Sequence, residues 1–182
     1  LLINQHGNTP FSDGLMIIMP SEKLVLSFAL PMPRFLTTVL LIAAAGFALW
    51  PQSSVEVSLP DKQCYLPPEF TLQWRHSVEH QLWRESYRSD GTTLHLTRTQ
   101  MQTFGAGMPS DGLPIAADKG FVAQQGRLKL PELNWTVSRN MQGEIHVDGQ
   151  IWPLAATLPN YATVRIAPVE KPRALIYFGH CL

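Results

Sequence analysis

Apolar and polar positions alternate most regularly between Phe70 and Arg88. By the period of two, Phe70, Leu72, Trp74, His76 and Val78 fall on one face of an extended strand, and Trp83, Glu85 and Tyr87 share a face on a return strand. Pairing Val78 with Trp83 across a loop of about four residues sets His76 opposite Glu85 and Trp74 opposite Tyr87, all on one side. Further short extended runs are separated by Pro, Gly, Asn and Asp: Val55 to Leu59, Thr93 to Gln100, Arg127 to Leu130, Asn134 to Arg139, Gly143 to Val147, Gln150 to Leu154, Ala162 to Ala167 and Ala174 to Phe178. Asp148-Gly149 reads as a two-residue hairpin turn, and Ser89-Asp90-Gly91 turns Tyr87 back towards Leu94. The pattern predicts an all-β domain over 55–182, a small antiparallel β-sandwich or barrel, after a linker around Gln52 to Ser54.

One stretch departs from this rhythm. From Phe35 to Trp50 the chain carries no charge, with Arg34 before it and Pro51 after it. Residues 32–51 therefore read as an N-terminal transmembrane or signal helix, and the run of 16 residues sits between the lengths typical of the two. Cleavage after Ala48 would use Gly46 and Ala48 as the small residues; Trp50 and Pro51 directly beyond disfavour it, so an uncleaved anchor through 35–50 is the preferred reading. Arg34 would hold its own side in the cytoplasm and send the remainder outward. The expected location is the inner membrane, single-pass, with the C-terminal domain periplasmic; the alternative is secretion. Residues 1–31 are uninformative, and Met32-Pro33-Arg34 looks like a natural start of an export segment.

Composition narrows the class. Lys+Arg and Asp+Glu number 14 each in 182 residues, so the basic excess needed for nucleic-acid backbones is missing. The 2 cysteines, Cys64 and Cys181, bracket the exported part, and in an oxidising compartment they read as one disulfide. They lie far apart with no CxxC companion, so neither a metal nor a cofactor is expected.

The chemistry concentrates in the hairpin. An imidazole and a carboxylate set among aromatic rings each need a partner, which makes His76 and Glu85 either a structural latch or a site. Between Gln100 and Arg127, Phe104-Gly105-Ala106-Gly107-Met108-Pro109 fits no strand. Its alternate glycines let backbone N–H groups converge on a ligand, or serve a tight connection.

His76-Ser77-Val78 after an aromatic strand, Glu85 and Tyr87 on the next, and the Phe104 to Pro109 loop resemble the domain of unknown function 1850 family of bacteria and archaea. The resemblance covers roughly 57–115 and matches the family's motifs at His76, Ser77, Glu85, Gly105 and Gly107. It implies a small anchored or exported protein working beside a TAXI-type TRAP transporter, with its membrane subunits or solute-binding protein as partners.

Three functions follow as expectations. The leading one is a non-enzymatic accessory or ligand-binding domain of the envelope. A hydrolase would use His76 as base, Ser77 as nucleophile and Glu85 as orienter, but on a regular strand Ser77 faces away from His76. A scaffold without ligand would account for the 5 tryptophans as core and contact surface. Trp74, Trp83 and Trp135 read as core, and Trp50 as an interfacial anchor.

Overall fold

The computed structural model describes residues 34–103 and 112–182, so Gly105 and Gly107 lie outside the described residues. In chain order the elements are α1 (Arg34–Leu49), β1 (Pro51–Ser58), β2 (Gln63–Leu66), β3 (Glu69–Arg75), β4 (Leu82–Ser89), β5 (Leu94–Met101), β6 (Pro114–Ile115), β7 (Val122–Gln125), β8 (Lys129–Leu130), β9 (Leu133–Thr136), β10 (Glu144–Val147), β11 (Gln150–Trp152), α2 (Leu154–Thr157), β12 (Thr163–Pro172) and α3 (Arg173–Phe178). The domain is all-β, as expected, and its sheets are open and antiparallel. A 4-stranded sheet runs β2-β1-β12-β9, and an 8-stranded sheet runs β11-β10-β3-β4-β5-β7-β6 with β8 on β5.

Alternation builds the core. Val55 and Val57 of β1, Leu66 of β2, and Val164 and Ile166 of β12 come from the smaller sheet. They meet Leu72 of β3, Leu94 and Met101 of β5 and Ile145 of β10, and each of these nine side chains is at most 1% exposed. Burying each contributes roughly 1.5–3 kcal/mol, which commits these strands to one face. The polar residues between them, such as Thr71 and Gln73, take the other side.

The Asp148-Gly149 turn forms as expected, joining Val147 to Gln150 with positive φ at both turn residues. Three other expectations need correction. Gln52 to Ser54 are not a linker but part of β1, paired with Lys171, Glu170 and Val169. There Ser54 is buried, donating from Oγ to the Leu66 carbonyl at 2.6 Å while its own carbonyl accepts from Ser89 Oγ at 2.9 Å. Ala174 to Phe178 form helix α3 rather than a strand, since a short apolar run without alternation suits either state. The third correction concerns the first hairpin: β3 ends at Arg75, and Trp74, not Val78, lies opposite Trp83.

The disulfide is present, with the Cα atoms of Cys64 and Cys181 4.9 Å apart across 117 residues of sequence. A loop of that size is worth up to roughly 4–5 kcal/mol in the chain-entropy view. Around it, Tyr65 N donates to the Gly179 carbonyl and Cys181 N to the Tyr65 carbonyl. The C-terminal segment thereby closes the β2 edge of the smaller sheet.

Helix α1 is apolar all round and has no buried residue. Among the described residues no helix is long and apolar enough to cross a membrane. Only Trp50 separates α1 from β1, and the joint is fastened by Arg173 N donating to the Trp50 carbonyl at 3.1 Å and by the Arg173 guanidinium 4.0 Å from the Phe47 ring.

Candidate functional site, a polar cleft on the inner face

The hairpin register decides where the expected residues go. The six residues 76–81 form the turn, closed by His76 N donating to the Gln81 carbonyl at 2.8 Å, with His80 at φ 56°. The strands are thus shifted by four residues from the expected pairing: Glu85 faces Leu72, and Tyr87 faces Phe70, whose ring it stacks on at 5.4 Å. An even shift preserves the faces, so His76, Trp83 and Glu85 stay on one side of the hairpin. What is lost is the pair. Among the described residues no hydrogen bond or ion pair joins His76 to Glu85. His76 instead stacks on Trp83, with centroids 5.0 Å apart and rings 20° from parallel, and its Nδ1 accepts from Glu79 N at 3.4 Å. Trp83 in turn meets Trp74 at 6.1 Å, and Trp74 meets Trp135 at 5.2 Å. Ser77 is exposed on the turn.

Glu85 takes a different partner. It accepts a hydrogen bond from Tyr87 Oη at 2.6 Å, two residues along the same face of β4. Burial raises its pKa above the ordinary carboxylate value, an effect the Tyr87 bond partly offsets. Burial, and then the adjacent Glu85 carboxylate, raise the Tyr87 phenol.

Continuing across the sheet, Glu85 lies opposite Thr99 of β5, and Thr99 lies opposite Gln124 of β7. Three polar side chains therefore stand in a row on the face that elsewhere forms the core. Thr99 is 1% and Gln124 8% exposed, yet the Thr99 hydroxyl and the Gln124 side-chain carbonyl have no hydrogen-bond partner among the described residues. An idle buried polar group costs about 1–3 kcal/mol. Beside this row is a cleft of about 340 Å³, lined by Glu85, Leu96, Thr99, Gly112, Gln124 and the segment 125–128. Two glycines keep it open: a Cβ on Gly126 would stand 2.5 Å from the Leu96 carbonyl oxygen, and one on Gly112 2.7 Å from Gln124 Oε1. The cleft can accept hydrogen bonds through Glu85 and Gln124 and exchange one with the Thr99 hydroxyl, which suits a small polar solute.

The turn bearing His76 and Ser77 lies near one end of this cleft's strands. Leu82 N donates to Gln102 Oε1 at 2.9 Å, and Thr103 Oγ1 donates to Gln81 Oε1, so the chain leaves β5 for the glycine-rich segment beside the 76–81 turn. The opposite end of β4 is the Asp90-Gly91 turn, where the position of a Gly91 Cβ is 3.2 Å from Ser53 Oγ, close to the start of β1. Eight residues of β4 separate the two ends, about 25 Å.

Residues 70–154 match the family model described as Domain of unknown function (DUF1850). Over these residues the chain is similar to the DUF1850 family. No curated protein and no solved structure matches it. Within the DUF1850 region the structure brings Glu85 to the cleft and stacks His76 on the neighbouring Trp83, while Ser77 stays outside.

Thr99 and Gln124 were not visible as site residues in the sequence reading. Their signal was a parity conflict in β5: Leu94 and Leu96 are buried at even positions and Met101 at an odd one, which requires an extra residue between them. The structure has that irregularity, with Ser86 opposite Arg98 and Tyr87 opposite Leu96.

Proposed function

We propose that this protein is a non-enzymatic, membrane-tethered accessory or ligand-binding domain, held at the inner membrane by α1 with its β domain in the periplasm. It would work beside a TAXI-type TRAP transporter. The observation that carries the ligand-binding reading is the row Glu85, Thr99, Gln124 with its two idle polar atoms in a cleft of about 340 Å³. Core packing gives no reason to place polar groups there, whereas a hydrogen-bonding solute would satisfy them. The Cys64–Cys181 disulfide supports an oxidising compartment. The family resemblance supports the transporter, and the apolar α1 supports the tether.

A hydrolase reading gains nothing from the geometry. Ser77 is exposed, and among the described residues no hydrogen bond links its hydroxyl to His76 or Glu85, the base and orienter that reading requires.

The test pairs solute uptake by cells carrying the protein and its transporter with mass spectrometry of small molecules released from the purified full chain. Glu85→Ala and Gln124→Leu should lower both the recovered solute and the uptake, with the unfolding temperature confirming that each variant folds. Recovery and uptake equal to wild type in both variants would reject the cleft as the site. Ester or amide hydrolysis lost in Ser77→Ala would reject the non-enzymatic reading. A reporter fused after Leu182 should be active only outside the cytoplasm, and cytoplasmic activity would reject the topology.

A further inference from the structure

The outer face of the larger sheet carries a second set of converging polar groups, back to back with the Glu85 cleft. On β4 and β5 the residues flanking Glu85 and Thr99 point the other way: Arg84 lies opposite Gln100, and Ser86 opposite Arg98. The Thr71 and Ser86 hydroxyls meet at 2.9 Å in the same cleft, which has a volume of about 360 Å³ and opens beside Asp118.

Asp118 shows what this face holds. Its carboxylate is bridged by two arginines from adjacent strands, with Oδ2 3.2 Å from Arg84 Nη1 and Oδ1 3.6 Å from Arg98 Nη2. Both guanidiniums are preoriented. Arg84 donates from Nε to Gln73 Oε1 at 2.6 Å and lies 4.3 Å from the Phe121 ring; Arg98 donates from Nη2 to the Ala116 carbonyl at 2.7 Å. The arginine side chains are about one-third exposed, whereas Asp118 is 57% exposed on a connecting segment, so the receptor is fixed and its occupant is loosely held. Two donors stay idle at the same place. Arg98 Nε and Gln100 Nε2 are buried without a partner among the described residues, and Gln100 is only 5% exposed.

We infer that this face is a binding site for a small carboxylate, with Asp118 as its built-in competitor. The second carboxylate of this face, Glu144, is already engaged by Gln73 at 3.0 Å and His146 at 2.9 Å, which leaves the two guanidiniums to Asp118, and planar guanidiniums match a carboxylate's two oxygens. When an exogenous carboxylate takes the bridge, Asp118 swings into water at little cost, because an exposed pair is worth only about 0–1 kcal/mol. Gln100 lines the same cleft opposite Arg84 and can then turn its idle amide towards the anion. This inference is independent of the Glu85 cleft, whose groups face the other way.

The test uses the full chain in detergent micelles, titrated by calorimetry with acetate, inorganic phosphate and chloride. Acetate should bind saturably. Asp118→Asn should bind it about two- to fivefold more tightly, the fold-change of an exposed ion pair released. Arg98→Met should weaken it at least about tenfold. Gln100→Met, which loses the idle donor but keeps the bulk, should weaken acetate while leaving the unfolding temperature unchanged or higher, and it carries the test if Arg98→Met fails to fold. Absence of saturable acetate binding in wild type and Asp118→Asn would overturn the inference, as would equal or weaker binding by Asp118→Asn. Saturation by phosphate without acetate would overturn the carboxylate assignment.

Discussion

Along one cross-strand row of the larger sheet's inner face, Trp152, Ile145 and Leu72 are packed into the core, and the same row continues as Glu85, Thr99 and Gln124 beside an open cleft. Backbone pairing is the same in both halves. The difference lies in the side chains and not in their exposure, since Thr99 and Leu72 are each 1% exposed. Thr99 and Gln124 are buried like the apolar half of the row, yet each keeps an idle polar atom. One half of the row therefore serves stability and the other half costs it, the arrangement expected where a site has been placed on a fold.

That contrast can be broken by mutation, and the largest effect should come from the apolar half. Leu72→Ala should destabilise the domain by about 2–5 kcal/mol in denaturant unfolding, because Leu72 is 1% exposed and its neighbours cannot collapse into the gap. A loss below about 1 kcal/mol would mean that this half is not packed as described. Gly126→Ala should cost about 1–3 kcal/mol and close the cleft, since the added carbon meets a backbone oxygen rather than a flexible side chain. Thr99→Val should act in the opposite direction. It removes an idle buried hydroxyl at constant shape and should raise stability by about 1 kcal/mol, read as a higher denaturant midpoint, while weakening any solute held in the cleft. A destabilised Thr99→Val would mean that the hydroxyl has a partner.

The subtlest effect is the pH dependence of Glu85. Its folded pKa lies above the unfolded value, so the folded state holds its proton longer. Stability is then full below the ordinary glutamate pKa and declines as pH rises through the raised one. Glu85→Gln should therefore unfold at a temperature closer to wild type in acid and increasingly above it towards neutral pH, measured by thermal melts across that range. A difference independent of pH would show that Glu85 is not held in a desolvated place.

The all-β class, the Asp148-Gly149 hairpin and the disulfide were legible because each rests on local chemistry: period-two burial, a turn that tolerates positive φ, and two cysteines in one chain. The hairpin register was not. Alternation fixes which face a residue takes but not its offset along the partner strand, and any even shift satisfies the same pattern. Stacking of Phe70 on Tyr87 and facing of Trp74 with Trp83 favour the observed offset, and both depend on the pairing itself. The cleft was hidden for a related reason. Val122 to Gln125 has no alternation to mark it as β7, and Thr99 turns inward only because β5 has an irregularity opposite Ser86 and Tyr87. The expected pairing of His76 with Glu85 is replaced by separate partners, Trp83 for His76 and Tyr87 for Glu85.

The joint between α1 and β1 has a mechanical consequence. A helix and a β domain are often joined by a flexible connector, but here one residue, Trp50, connects helix to strand, and Arg173 holds both Trp50 and the Phe47 ring of the helix. Torque applied to the helix would pass into β1 and its eight-residue pairing with β12 instead of dissipating in slack chain. The 76–81 turn, about 25 Å from the Gly91 end of β4, would then sweep an arc like the tip of a lever whose angle is set by the helix.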